Sequence, residues 1–279
     1  MAKMKSGARL SPKEQRLQKT MLCDGLSFAA AESYKLLRTN LQFSLPEKSC
    51  RIVGVTSSVR GEGKSTTSVN LAYTIAQSGK RVLLIDADMR LPSIANKLEF
   101  KTVPGLSNLL AGLREEQDCL RVSPQLENWY ILPAGDIPPN PSELLGSERM
   151  RALMERYREV FDYIVLDLPP ITVVTDALVI SPWTDGLIVA VRQNYTERRA
   201  LNACMYQINK LGSKFLGFVM TDAAVGETSY KRYGKYGRSY GYGYGYDYAG
   251  SRPGGKNDKA FMAAAAEEPV SAAKSAKSE

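Results

Sequence analysis

The 279-residue chain contains no histidine, so the usual neutral-pH general base and the commonest transition-metal ligand are both missing. Any proton acceptor is therefore expected to be a carboxylate. Cys23, Cys50, Cys119 and Cys204 lie scattered with no CxxC pair, a pattern of free buried thiols rather than of disulfides or a zinc site. No apolar run approaches the roughly eighteen residues that a membrane span needs. The basic start MAKMKSGARLSPKEQRLQKT also lacks the apolar core of a secretory signal. The expectation is a protein that stays inside the cell and does not cross a bilayer.

Charge is present but unevenly placed. Residues 21–225 hold 22 basic and 22 acidic side chains, whereas residues 1–20 hold six basic and one acidic, and residues 226–279 nine basic and six acidic. The net charge of +8 thus sits in the termini. Basic tails on a neutral body suit an anionic membrane surface or an acidic partner better than a sequence-reading DNA face; solvated tails without a partner fit equally well.

The body of the chain alternates strand and helix signals. Ser27 to about Phe43 carries Phe28, Ala31, Leu37 and Leu41 at helical spacing and predicts an amphipathic helix with Phe28 on its apolar face. Strands are predicted at Arg51–Thr56, Arg81–Asp86, Trp129–Leu132, Tyr163–Leu168, Leu187–Val191 and Phe215–Met220, with a helix from Lys64 to Ser78 closed by Gly79. Near-continuous apolar strands with helices between them imply an α/β fold, a mostly parallel sheet covered on both faces. The segment Ile137–Pro141 (IPPNP) reads as a rigid connector. Residues 230–248 hold eight of the fifteen tyrosines among glycines with no amphipathic period, so residues 226–279 read as a disordered tail. The domain expectation is a basic extension over 1–26, a catalytic domain over 27–225, and this tail.

Ser58–Ser65 reads SVRGEGKS, the P-loop pattern GxxxxGK[ST] with serine in place of the first glycine. It follows a predicted strand and opens a predicted helix, where backbone N–H groups converge on phosphate oxygens. The fold class expected is accordingly a P-loop NTPase. Ser58, Arg60, Gly61, Glu62, Gly63, Lys64, Ser65 and Thr66 are the candidate nucleotide-binding residues. Lys64 would reach the β- and γ-phosphates, and Ser65 would ligate Mg²⁺. Asp167 closes the strand YIVLD, as a Walker B carboxylate does, and Asp86 and Asp88 close VLLIDAD. In a parallel sheet all three carboxylates emerge at the carboxyl edge, where ligands bind.

The P-loop, LLIDADMRLP, DYIVLDLPP, LPAGDIPPNPSELLGS and TDALVISPWTDGLIVAVRQ together resemble the bacterial tyrosine kinase family, the cytoplasmic kinases that regulate capsular and exopolysaccharide synthesis. The resemblance implies ATP and Mg²⁺ as cofactors, with Ser65, Asp88 and Asp167 holding the metal. It also implies that Lys64, Asp86 and Asp88 are catalytic, Asp88 with Asp86 accepting the tyrosine proton. That role suits a hydroxyl whose pKa is about 10. It implies further that Tyr230, Tyr233, Tyr236, Tyr240, Tyr242, Tyr244, Tyr246 and Tyr248 are phosphoacceptors. A first-helix stripe, here Glu32, Lys35 and Arg38, would mediate a homo-oligomeric ring, with Lys35 standing where the family pattern has arginine. Implied partners are a separate transmembrane polysaccharide co-polymerase that activates the kinase at the inner face of the membrane, and a cognate phosphotyrosine phosphatase, without sequence-specific nucleic acid. A partitioning or division-site ATPase shares this fold, but its early P-loop lysine is replaced here by Val59. A third reading treats the Gly-Tyr tail as a base-stacking, RNA-binding segment.

Overall fold

The computed structural model describes residues 22–211 and 214–223; the tyrosine cluster 230–248 and residues 1–21 lie outside the described residues. Seven strands form one sheet in the order β3-β4-β2-β5-β1-β6-β7. They are β1 (Arg51–Ser57), β2 (Val82–Asp86), β3 (Arg121–Val122), β4 (Trp129–Leu132), β5 (Tyr163–Asp167), β6 (Gly186–Arg192) and β7 (Phe215–Thr221). Every pairing is parallel except that of β3 with β4. The six strands expected from sequence are all present. The two-residue β3 is not expected from sequence, because so short a run carries no periodicity.

Parallel strands buried on both faces need apolar side chains in both directions, and the strand sequences supply them. Ile52, Leu83, Ile85, Ile164, Leu166, Leu187 and Val189 face one core; Val53, Val55, Val82, Leu84, Val165 and Ile188 face the other. The first core is covered by Leu153, Met154 and Tyr157 of α7 (Glu148–Val160), Ala177 and Ile180 of α8 (Asp176–Ile180), and Cys204 and Ile208 of α9 (Arg198–Leu211). The second is covered by Val69, Leu71, Ala72 and Ile75 of α2 (Lys64–Ala76), with Leu41 and Leu45 at the end of α1 (Phe28–Ser44). Leu22 and Cys23, on the N-terminal side of the expected domain boundary, belong to this second core. The shorter helices are α3 (Ile94–Lys97), α4 (Leu106–Leu110), α5 (Glu116–Cys119) and α6 (Pro141–Leu145).

Two sequence expectations need correction. Phe28 is not on the buried face of α1; it is 83% exposed. The helix instead turns Tyr34, Leu37, Arg38 and Leu41 inward, because α2 presents polar and aromatic groups that a mixed stripe matches. IPPNP is also not wholly a connector, since Pro141 opens α6, where its fixed φ and missing N–H suit a first helical position.

All four cysteines are free and buried, and burial pushes the thiols of Cys23, Cys50 and Cys204 up to about 12. Among the described residues no helix is long and apolar enough to cross a membrane.

Candidate active site

The site is built where β1 ends and α2 begins. Gly61 and Gly63 adopt φ of +82° and +85°, a region open to glycine and strained for other residues. The chain therefore turns tightly, and Gly63 caps α2 with its N–H groups and positive dipole end facing the carboxyl edge of the sheet. At the opposite end of α2, Arg38 donates to the Thr74 carbonyl (2.8 Å) and Asn128 to the Ala76 carbonyl (2.8 Å), satisfying acceptors of the last turn.

The strand order places β5 between β1 and β2, and register pairs Asp86 with Asp167. The carboxylates expected at one edge do meet there. The Lys64 ammonium lies 2.8 Å from Asp88 Oδ2 and 3.4 Å from Asp167 Oδ2, and 3.2 Å from the Ser65 hydroxyl. Ser68, one turn along α2, donates to Asp167 Oδ1 (3.0 Å). Burial alone would lower the Lys64 pKa, but the charges of Asp167, Asp88 and Asp86 outweigh it and hold the ammonium above its ordinary range.

Asp86 is placed differently from Asp88. Its Oδ2 accepts the N–H groups of Ser93 and Ile94, each at 3.1 Å, so it caps α3, while its buried Oδ1 has no hydrogen-bond partner. Burial, then the neighbouring Asp167 charge, pushes its carboxyl up to about 8. Burial raises Asp167 as well, against the lowering effect of Lys64. Asp88 Oδ1 accepts the Leu91 N–H (3.1 Å), which fixes the loop after β2.

Glu62 is fully buried and turns its carboxylate into the loop. It accepts from the Ser58 hydroxyl (2.8 Å), the Val59 N–H (2.8 Å) and the Thr196 hydroxyl, which leaves only its backbone for a nucleotide. Arg60 is exposed, and Thr66 is half-buried beside Ser65 on the first turn of α2.

Sequence reasoning missed the supports of this centre. Arg90 grips the fully buried Asp176 with two bonds (2.8 and 3.0 Å), and Asp176 also accepts from Ser142 of α6. Lys97 on α3 is half-buried, and burial, the largest influence on it, pulls its pKa down. The MRLP and TDA segments carry the family resemblance, but nothing in their spacing pairs Arg90 with Asp176. Of the helix stripe, Lys35 and Glu32 pair with each other in solvent (2.7 Å), and Arg38 points to α2.

Comparison with known proteins agrees with this geometry. A family model described as an AAA domain matches residues 50–216. The chain is 37% identical to the tyrosine-protein kinase CpsD of Streptococcus agalactiae, over 74% of this chain and 90% of that one. It is 34% identical to the tyrosine-protein kinase YwqD of Bacillus subtilis strain 168, over 74% and 86%. The kinase domain of the Escherichia coli tyrosine kinase ETK superposes with a TM-score of 0.68 at 29% identity, over 81% of this chain and 84% of that one. With a P-loop closed by Lys64 against Asp88 and Asp167, and relatives of this identity over nearly their whole length, the chain belongs to the bacterial tyrosine-protein kinases.

Proposed function

We propose that this kinase binds ATP with Mg²⁺ and transfers the γ-phosphoryl group to the tyrosines of its own tail, Tyr230, Tyr233, Tyr236, Tyr240, Tyr242, Tyr244, Tyr246 and Tyr248, each tail entering the site of a neighbouring copy. The observation that carries this reading is the meeting of Lys64 with Asp88 and Asp167 at the N-terminus of α2. A phosphoryl donor needs a cation and converging N–H groups there, and an acceptor hydroxyl needs a carboxylate.

The residues fit the metal. Ser65, Asp88 and Asp167 are hard oxygen donors, the set that Mg²⁺ prefers, and the partnerless Asp86 Oδ1 is a buried acceptor that costs free energy until a cation or water meets it. When bound, the ion supplies neutralisation of phosphate charge. Among the described residues no group of three or more Cys, Asp or Glu side chains is placed to hold a metal ion by itself.

The chain's own groups then divide the work. The loop N–H groups and Lys64 bind and align the phosphates. Asp88, paired to Lys64 and held by the Leu91 N–H, accepts the proton of the incoming tyrosine. Asp86 fixes the loop that carries Asp88.

We further propose that the kinase regulates capsular or exopolysaccharide polymerisation and export. In this reading a separate transmembrane co-polymerase activates it and holds it at the membrane, a phosphotyrosine phosphatase reverses its marks, and copies join in a ring through Glu32, Lys35 and Arg38. The test is incubation of the purified chain with Mg²⁺ and ATP, alone and with a co-polymerase fragment, followed by phosphotyrosine mapping. Phosphate on the tail that is absent from Lys64→Met supports the reading. ATP hydrolysis without phosphotyrosine under both conditions defeats it.

A further inference from the structure

On the β6 side of the P-loop, across β1 from Asp88 and Asp167, one short turn clamps the phosphate-binding loop. Thr196 donates to the Glu62 carboxylate, and Thr221, at the end of β7, donates to the Glu62 carbonyl (2.7 Å). Arg192 donates to the Gly61 carbonyl (3.3 Å) and pairs with Asp222 (3.0 Å). The Tyr195 hydroxyl donates to the Arg60 carbonyl (3.0 Å). A Cβ at Gly61 would lie 3.2 Å from that hydroxyl oxygen, so the phenol rests on the loop itself.

Tyr195 carries the exposed hydroxyl of the clamp, those of Thr196 and Thr221 belonging to half-buried residues. It is 50% exposed, on a turn where Asn194 takes a φ of +57°. It also has a cation against its ring. The Arg192 guanidinium sits 5.1 Å from its ring centroid, and the exposed Glu197, Arg198 and Arg199 follow it in sequence. An accessible tyrosine hydroxyl beside the Arg192 guanidinium, on a protein whose reaction modifies tyrosine, suits a phosphate ester that this guanidinium then holds.

We propose that Tyr195 is a phosphoacceptor of this kinase and that its phosphorylation opens the β6-side clamp on the P-loop. The step rests on the reading that one copy acts on another. The Tyr195 oxygen forms a bond to the γ-phosphorus of ATP held by the second copy. The bond from that phosphorus to the β–γ bridging oxygen breaks, ADP leaves with the electron pair, and the phenolic proton passes to Asp88 of the acting copy. The ester oxygen has no proton to give the Arg60 carbonyl, and about −1.5 to −2 of new charge faces that carbonyl. Arg192 is drawn to the phosphate and away from Asp222 and the Gly61 carbonyl. The loop then keeps only its Glu62 contacts on this side and holds nucleotide less tightly, so the modification limits the activity of the copy that carries it.

The test uses the full chain with Mg²⁺ and ATP, phosphate being mapped by mass spectrometry on the peptide bearing Tyr195 and on the tail. Release of a fluorescent ADP is timed for the unmodified chain, the phosphorylated chain and Tyr195→Phe. Expected are phosphate at Tyr195, absent from Lys64→Met incubated alone, and ADP release faster by about two- to ten-fold in both altered chains, the range set by loss of one or two hydrogen bonds. Phosphate on the tail with none at Tyr195 overturns this proposal and leaves the tail reading standing. Phosphate at Tyr195 with none on the tail does the reverse, and no phosphotyrosine at all overturns both. Unchanged ADP release in Tyr195→Phe refutes the clamp.

Discussion

Asp86 and Asp88 are two residues apart and look alike in sequence, yet the fold gives them different work. Asp88 meets Lys64, whereas Asp86 is sealed beneath the loop with one oxygen unpartnered. A carboxyl raised to about 8 binds a proton in the folded chain that the unfolded chain, with an ordinary value of about 4, releases. Stability from this group is therefore fully present below about pH 4 and falls as pH rises toward 8. Without nucleotide, the melting temperature is expected to drop between pH 6 and pH 8, and Asp86→Asn to flatten that slope. A slope unchanged in the variant would refute the assignment. The acidic and P-loop residues were legible because each motif is contiguous and physically specific. Arg90 and Asp176 were not, since they stand 86 residues apart, nor were Ser68 with Asp167 at 99 or Thr196 with Glu62 at 134. Arg90→Ala leaves the buried Asp176 with Ser142 but no cation. We expect a loss of about 1–3 kcal/mol in urea unfolding, along with a lower kcat at nearly unchanged KM for ATP.

At the scale of elements, the strands were readable because a sheet buried on both faces demands apolar runs, and the chain supplies them at six places. Helix α1 was readable as a helix but not in its orientation. Its hydrophobic positions are not confined to one stripe: Phe28 and Phe43 face outward, while Arg38 turns inward to the end of α2. That inward arginine joins two elements and leads to a further test. Arg38→Ala removes a charge-assisted bond at a helix C-terminus, expected to cost roughly 1–2 kcal/mol and to lower the melting temperature of the unassembled chain. Glu32→Ala breaks only an exposed pair and should stay within about 1 kcal/mol. Equal losses in the two variants would show that Arg38 acts through the solvent-facing stripe instead.

At the scale of the whole molecule, the P-loop is held from two directions, by the Asp88 and Asp167 carboxylates on the β2–β5 side and by the 192–196 turn with the end of β7 on the other. The chain leaves β7 toward the tail, where residues 226–248 carry four basic and two acidic side chains. Two or three phosphotyrosines at about −1.5 to −2 each would reverse that charge and repel the acidic site. Assembly that depends on tail docking should therefore weaken with phosphorylation, visible as a smaller sedimentation coefficient; an unchanged oligomer would exclude such a switch. The central claim, that the Lys64 centre of one copy phosphorylates the tail of another, is tested most directly by mixing two chains. One carries Lys64→Met with its tail intact, and the other has a working site with the eight tail tyrosines changed to phenylalanine. With Mg²⁺ and γ-labelled ATP, label is expected on the tail of the Lys64→Met chain and only in the mixture. A Lys64→Met tail that stays unlabelled, while the unaltered kinase labels its own tail, would contradict transfer between copies.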